Sequence, residues 1–201
     1  MRFWIGVKAS YPPSAVAEAE AFLAAINAAL EQRGLPSYNE PDDLSLVDGD
    51  HTIGLSGEAL GDETLRGWGD VACFHRGFRL RGPRDLYLPM DFLEPLEVPF
   101  GRFLVFRRKA LVGSYGMLQW ALEDMAESLA IPFAGDTLAD EVARDISECR
   151  PLRSSPHLAY MEEVDIQLRP VWLLYLNAFR LAKRHGCALC VSHGAGGPTR
   201  A

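Results

Sequence analysis

Near the end of the chain His185, Cys187, Cys190 and His193 fall within nine residues, the densest grouping of side chains able to do chemistry. Imidazole and thiolate both ligate zinc. The spacing H-x-C-x-x-C-x-x-H matches no established zinc pattern, however. Cys187 to Ser192 reads as a short apolar strand, and residues three apart on a strand point to opposite faces. The two thiols are therefore expected to pack as small apolar groups, with no metal between them. A dithiol redox pair is also disfavoured, because it needs its first cysteine at a helix N-terminus. Here the helix precedes the pair and offers its other end.

A second candidate is Gly113-Ser114-Tyr115-Gly116. The nucleophile elbow of hydrolases is G-x-S-x-G between a strand and a helix. Val112 stands two residues before Ser114, so the first glycine is missing. Ser114 as an ordinary helix N-cap accounts for the same residue. A catalytic serine would further need His157 or His185 and an acid such as Asp165.

Two charged segments remain. Between Arg66 and Lys109 nine Lys and Arg stand against five Asp and Glu. His75, Arg76, Arg79 and Arg81 lie in this run, and arginine forks suit phosphate or carboxylate groups. They are the candidate site for an anionic ligand. Glu40, Asp42, Asp43, Asp48 and Asp50 crowd the first long loop in an order that fits no EF-hand. With Glu162, Glu163 and Asp165 they could form a negative surface that steers a basic partner. Tyr38 and Trp68 are the aromatic residues expected to be exposed with it.

The elements that must position these groups follow from periodicity. Phe3 to Ala9 reads as a strand, closed by Pro12 and Pro13. Ser14 can cap a helix whose stripe is Val16, Ala19, Leu23, Ile26 and Leu30, ended by Gly34. His51 to Leu55, Leu86 to Phe92 and Phe103 to Leu111 read as strands, with Pro89 placing the second at an edge or bulge. The stretch Leu93 to Phe100 reads as a proline-rich connection. Leu118, Ala121, Leu122, Met125 and Leu129 form the buried face of a helix opened by Ser114 and ended by Pro132. A further helix is expected over Thr137 to Cys149, with Thr137 and Asp140 as a capping box. The last helix is expected from Pro170 to His185, buried on two sides, with Gly186 and a strand after it. Asp62 to Leu80 fits either a broken helix or irregular structure.

The order strand, helix, strands, helices, strand gives the expected fold class: α+β (or irregular α/β), a single domain with a mixed sheet packed against about four helices. The domain is expected over 1–193, with 194–201 as a flexible tail. A chain of 201 residues, 48% hydrophobic and 23% charged, is ordinary for a globular protein. Its net charge of −7 argues against general nucleic-acid or anionic-membrane binding. Four irregularly spaced cysteines and no signal-peptide core point to the cytoplasm. No cofactor is expected. The functional expectation is a non-enzymatic protein-binding protein, such as a bacterial antitoxin or immunity-type inhibitor using an acidic surface. The alternative is a hydrolase or transferase acting on an anionic small molecule held by the Arg-rich segment.

Overall fold

The computed structural model describes residues 2–11, 13–41, 52–54, 84–100, 108–134, 137–148, 152 and 162–192. Its strands are β1 (Arg2–Ile5), β2 (Thr52–Gly54), β3 (Arg84–Leu88), β4 (Leu96–Phe100), β5 (Arg108–Ser114), β6 (Phe133–Ala134), β7 (Thr137–Leu138) and β8 (Leu189–Ser192). Its α-helices are α1 (Val16–Gln32), α2 (Tyr115–Ser128), α3 (Asp140–Ser147) and α4 (Glu162–His185). Six strands make one mixed sheet in the order β2-β1-β8-β3-β5-β4, and β6 pairs with β7 apart from it. Among these pairs β3 and β5 run parallel and the rest antiparallel.

The side-chain alternation of strands buries this sheet on both faces. Trp4, Cys190, Leu86, Val112 and Leu96 are register partners across five strands. They turn to one face, where Ile26 and Leu30 of α1 pack against the same cluster. Ile5, Leu189 and Tyr87 form the next row and turn the other way, toward α2, α3 and α4. Gly113 opposes Tyr87 in that row, and a Cβ there would meet the tyrosine ring at 3.0 Å. The fold is thus the expected single-domain α+β arrangement, a mixed sheet with helices on both faces.

The most deeply packed helix is α4, which buries Trp172, Tyr175, Leu176, Ala178, Phe179 and Ala182. Phe3 meets Tyr175 edge-on at 4.8 Å, and Phe133 meets Trp172 at 5.1 Å. The Trp172 indole N–H donates to the Leu122 carbonyl at 2.8 Å. The two-sided burial expected for this helix is present.

Three helices close in the same way. The amides of Gly34 and Leu35 donate to the carbonyls of Glu31 and Leu30 after α1. Ala130 and Ile131 do the same to Glu127 and Ala126 after α2, and Gly186 and Cys187 to Lys183 and Ala182 after α4. This paired closure puts one residue in the left-handed region. Two of the three are glycines, with φ +68° at Gly34 and +63° at Gly186. The third is Ala130, with φ +51°.

Several boundaries differ from the sequence expectation. β1 ends at Ile5, because Gly6 turns the chain at φ +99° into a short 3-10 turn over Lys8–Ser10. α1 begins after a second 3-10 turn at Pro13–Ala15, so Ala15 rather than Ser14 stands at its cap, and Val16 is exposed. β3 ends before Pro89 and lies inside the sheet, so the proline ends the strand instead of placing it at an edge. The expected connection contains β4, and its Pro99 is tolerated because β4 is the edge strand. β5 runs later than expected, over Arg108–Ser114; positions 103–107 lie outside the described residues. α2 stops at Ser128, ahead of Pro132, at the Ala130 turn. Thr137 pairs with Ala134 in β7 and caps nothing; α3 starts only after Ala139. α4 begins eight residues before Pro170, which sits inside it. An interior proline costs about 3 kcal/mol in a helix, and the buried residues from Val171 onward offset it. Asp62 to Leu80 and 194–201 lie outside the described residues.

Candidate functional site

β1, β3 and β5 all point their carboxyl ends to the same end of the sheet. A polar network gathers there. Asn27 of α1 holds Tyr38 by its backbone: the Tyr38 N–H donates to Asn27 Oδ1 at 2.8 Å, and Asn27 Nδ2 donates to the Tyr38 carbonyl at 3.0 Å. The Tyr38 hydroxyl accepts the Ala188 N–H at 2.7 Å. From the opposite face the Tyr115 hydroxyl donates to the Cys187 carbonyl. Tyrosines from both faces therefore grip the two polar atoms of the Cys187–Ala188 peptide. Burial pushes both phenols well above their ordinary range, so both stay neutral.

Glu40 joins this network instead of the expected acidic surface. Its carboxylate accepts the N–H groups of Val7 and, at 3.0 Å, Lys8. Burial pushes its pKa up, while the two amide bonds and the Lys8 charge pull it back. Tyr38, expected to be exposed, is only 4% exposed. Asp42, Asp43, Asp48, Asp50 and Trp68 lie outside the described residues, as do the side chains of Glu162, Glu163 and Asp165.

The cysteines lie on opposite sides of the sheet as expected, although β8 starts at Leu189, not Cys187, so only Cys190 is on the strand. Cys187 packs with the α4 side of the core and Cys190 with the α1 side. Burial, helped by the Glu40 carboxylate, raises the Cys187 thiol pKa. That disfavours the thiolate needed for attack or metal binding. His185 is half-buried at the end of α4, and no group able to hold a metal occurs among the described residues. His193 lies outside them, as do His75, Arg76, Arg79, Arg81 and His157.

Ser114 is the cap of α2. Its Oγ accepts the Met117 N–H at 3.1 Å and donates to the Phe92 carbonyl at 2.8 Å. With 1% exposure and both hydrogen-bonding roles filled, it is a structural hydroxyl.

A cleft lies on the outer face of α2. Trp120, Glu123, Asp124 and Glu127 stand at positions i, i+3, i+4 and i+7, on one side of the helix. Together with Ile131, Pro132 and Phe133 they line a cleft of about 630 Å³. Trp120 is 57% exposed at this cleft. α2 carries these three carboxylates and no Lys or Arg. Glu127 lies in the last turn, where the helix dipole opposes a negative charge by about 0.3–1 kcal/mol. The pairs Glu123–Glu127 and Asp124–Glu127 repel at helical spacing. Gln119 donates to Glu123 at 3.1 Å. Arg169 reaches this end of α2 from the buried side, its Nε donating to the Leu129 carbonyl at 3.0 Å.

No family model, curated protein or solved structure matches the chain. Its function must be argued from its own residues. The sequence draws attention to the acids of the first loop, and the polar side of α2 carries no motif that marks it. The signal was nevertheless present: a tryptophan followed at helical spacing by three acids, with no basic residue on the same helix.

Proposed function

We propose that this chain is a non-enzymatic binding protein whose acidic recognition surface is the cleft along α2. The observation that carries this reading is Trp120, exposed among three carboxylates that weaken their own helix. Charges placed against a helix dipole and against one another are relieved by a cationic partner. An exposed indole adds an anchoring surface and a cation–π face for Lys or Arg. The partner fitting these terms is a protein with a basic segment. An inhibitor of the antitoxin or immunity type, acting in the cytoplasm, is the biological role that suits such a surface. The net charge of −7 favours encounter with a basic partner.

Titration with a deca-lysine peptide by calorimetry tests this proposal. Binding is expected to weaken steeply with salt, as screened surface charges require. The variant E123Q/D124N/E127Q should bind about threefold to 100-fold more weakly, since each of three exposed pairs is worth about 0.2–1 kcal/mol. Equal binding by this variant and the parent protein refutes the assignment to α2.

A further inference from the structure

Leu93 is 96% exposed at the crossing between β3 and β4. Single exposed leucines are common on protein surfaces. This one differs because the backbone is held on both sides of it. Ser114 Oγ holds the Phe92 carbonyl at 2.8 Å. Arg33, just past α1, donates through Nη1 to the Glu94 carbonyl and through Nη2 to the Pro95 carbonyl, both at 3.0 Å. Two helices on opposite faces of the sheet thus fix the loop that displays one apolar side chain. A partner binding there meets little ordering cost, since the loop is already set.

The loop meets the first turn of the helix that carries the cleft. Asp91 stands over Gly116, with its Oδ1 3.0 Å from where a Gly116 Cβ would lie. Gly116 is one helical turn before Trp120 on the same face of α2. Leu93 follows Asp91 by two residues, a span of at most about 7 Å. Asp91 and Glu94, which flank Leu93, are both exposed.

We propose that Leu93 is the apolar anchor of this surface, and that the surface takes a basic amphipathic helix of a protein partner. The proposal rests on α2 being the recognition surface and names the shape of what it recognises. Glu94 already meets the Arg33 guanidinium, Nη1 to Oε2 at 3.9 Å; Asp91 beside Leu93, and Glu123, Asp124 and Glu127 beside Trp120, call for cations on the partner. A protruding leucine fits the hole among four side chains on the apolar face of a helix. A helix with one apolar and one Lys- or Arg-rich face supplies both.

Two synthetic helical peptides of about 18 residues (five turns) and identical lysine content test it. One segregates leucine and lysine on opposite faces; the other has glutamine at every leucine position. Each is titrated into the full chain and into L93S by calorimetry. The amphipathic peptide is expected to bind the parent protein about tenfold or more tightly than the glutamine peptide, as one anchor side chain allows. L93S should remove that difference and leave the glutamine peptide's affinity unchanged. Equal affinity of both peptides for the parent protein overturns the proposal, as does a preference that survives in L93S. Salt-sensitive binding of both peptides with no preference defeats the Leu93 anchor alone. Absence of salt-sensitive binding by either peptide defeats the α2 reading with it.

Discussion

Replacing Ala130 by glycine should stabilise the protein by about 0.5–1 kcal/mol. Ala130 sits at φ +51° in the closure of α2, where the equivalent residues of α1 and α4 are Gly34 and Gly186. An L-residue in this region is strained by about 1–2 kcal/mol. Glycine returns about 0.4–1 kcal/mol of that through its greater freedom in the unfolded chain. The difference is the net gain. In urea, with a slope of about 2–3 kcal/mol/M, the midpoint should rise by about 0.2–0.5 M at unchanged slope. The melting temperature should rise by about 1–4 °C for a chain of this length. Gly34→Ala and Gly186→Ala are the matched reversals. No atom lies within 4 Å of where either Cβ would stand, so their loss is backbone strain alone. Each should lower stability by about 1 kcal/mol. An unchanged or lowered midpoint in A130G, with both reversals destabilising, would refute the claim that this closure stores strain. Peptide binding should be the same in A130G, because no side chain of the cleft changes.

Two further outcomes follow from the polar network. Burial lifts the folded-state pKa of Glu40 above its ordinary 4.5, so the folded protein holds that proton more tightly than the unfolded chain. Its contribution to stability is complete below pH 4.5 and is lost as pH rises through the folded value; E40Q should flatten this slope in urea midpoints measured from pH 4.5 toward neutrality. Tyr115→Phe keeps the ring against Phe179 but strips the Cys187 carbonyl of its donor, and chemical denaturation should show a loss of about 1–2 kcal/mol.

Where one pattern dominated a segment, the sequence was a good guide. The stripes of α2 and α4 are clean, and both helices bury the residues their spacing selects. Cys187 and Cys190 fall on opposite sides of the sheet as expected, but β8 starts only at Leu189, and Cys187 is placed by the closure of α4, its N–H bonded to the Ala182 carbonyl. Boundaries failed where a local signal met a tertiary one. Pro170 looks like a first helical residue, yet α4 runs through it. Pro99 looks like a turn, yet an edge strand accepts it. Thr137 and Asp140 have capping-box spacing, but Thr137 is taken by pairing with Ala134. The site was less legible for a related reason. Acidity in a loop and acidity on a helix face look alike in composition. What separates Glu40 from Glu127 is the partner each carboxylate meets: two backbone amides for the first, and an open cleft for the second.

In open α/β sheets, ligands commonly sit beyond the carboxyl ends of the strands, and β1, β3 and β5 give this mixed sheet one such end. Here the protein's own groups occupy the described part of that end. Glu40 fills the amides after β1, two tyrosines grip the start of β8, and the 89–95 connection crosses the end of β5. Polar atoms that could have met a substrate are committed to holding the fold. Ser114 links this closure to the surface proposed for recognition. One hydroxyl caps α2, whose outer face forms the acidic cleft, and also pins Phe92, beside the exposed Leu93. A nucleophilic serine would need that hydroxyl free. Engaged as it is, it aligns the helix with the loop, as the proposed binding surface requires.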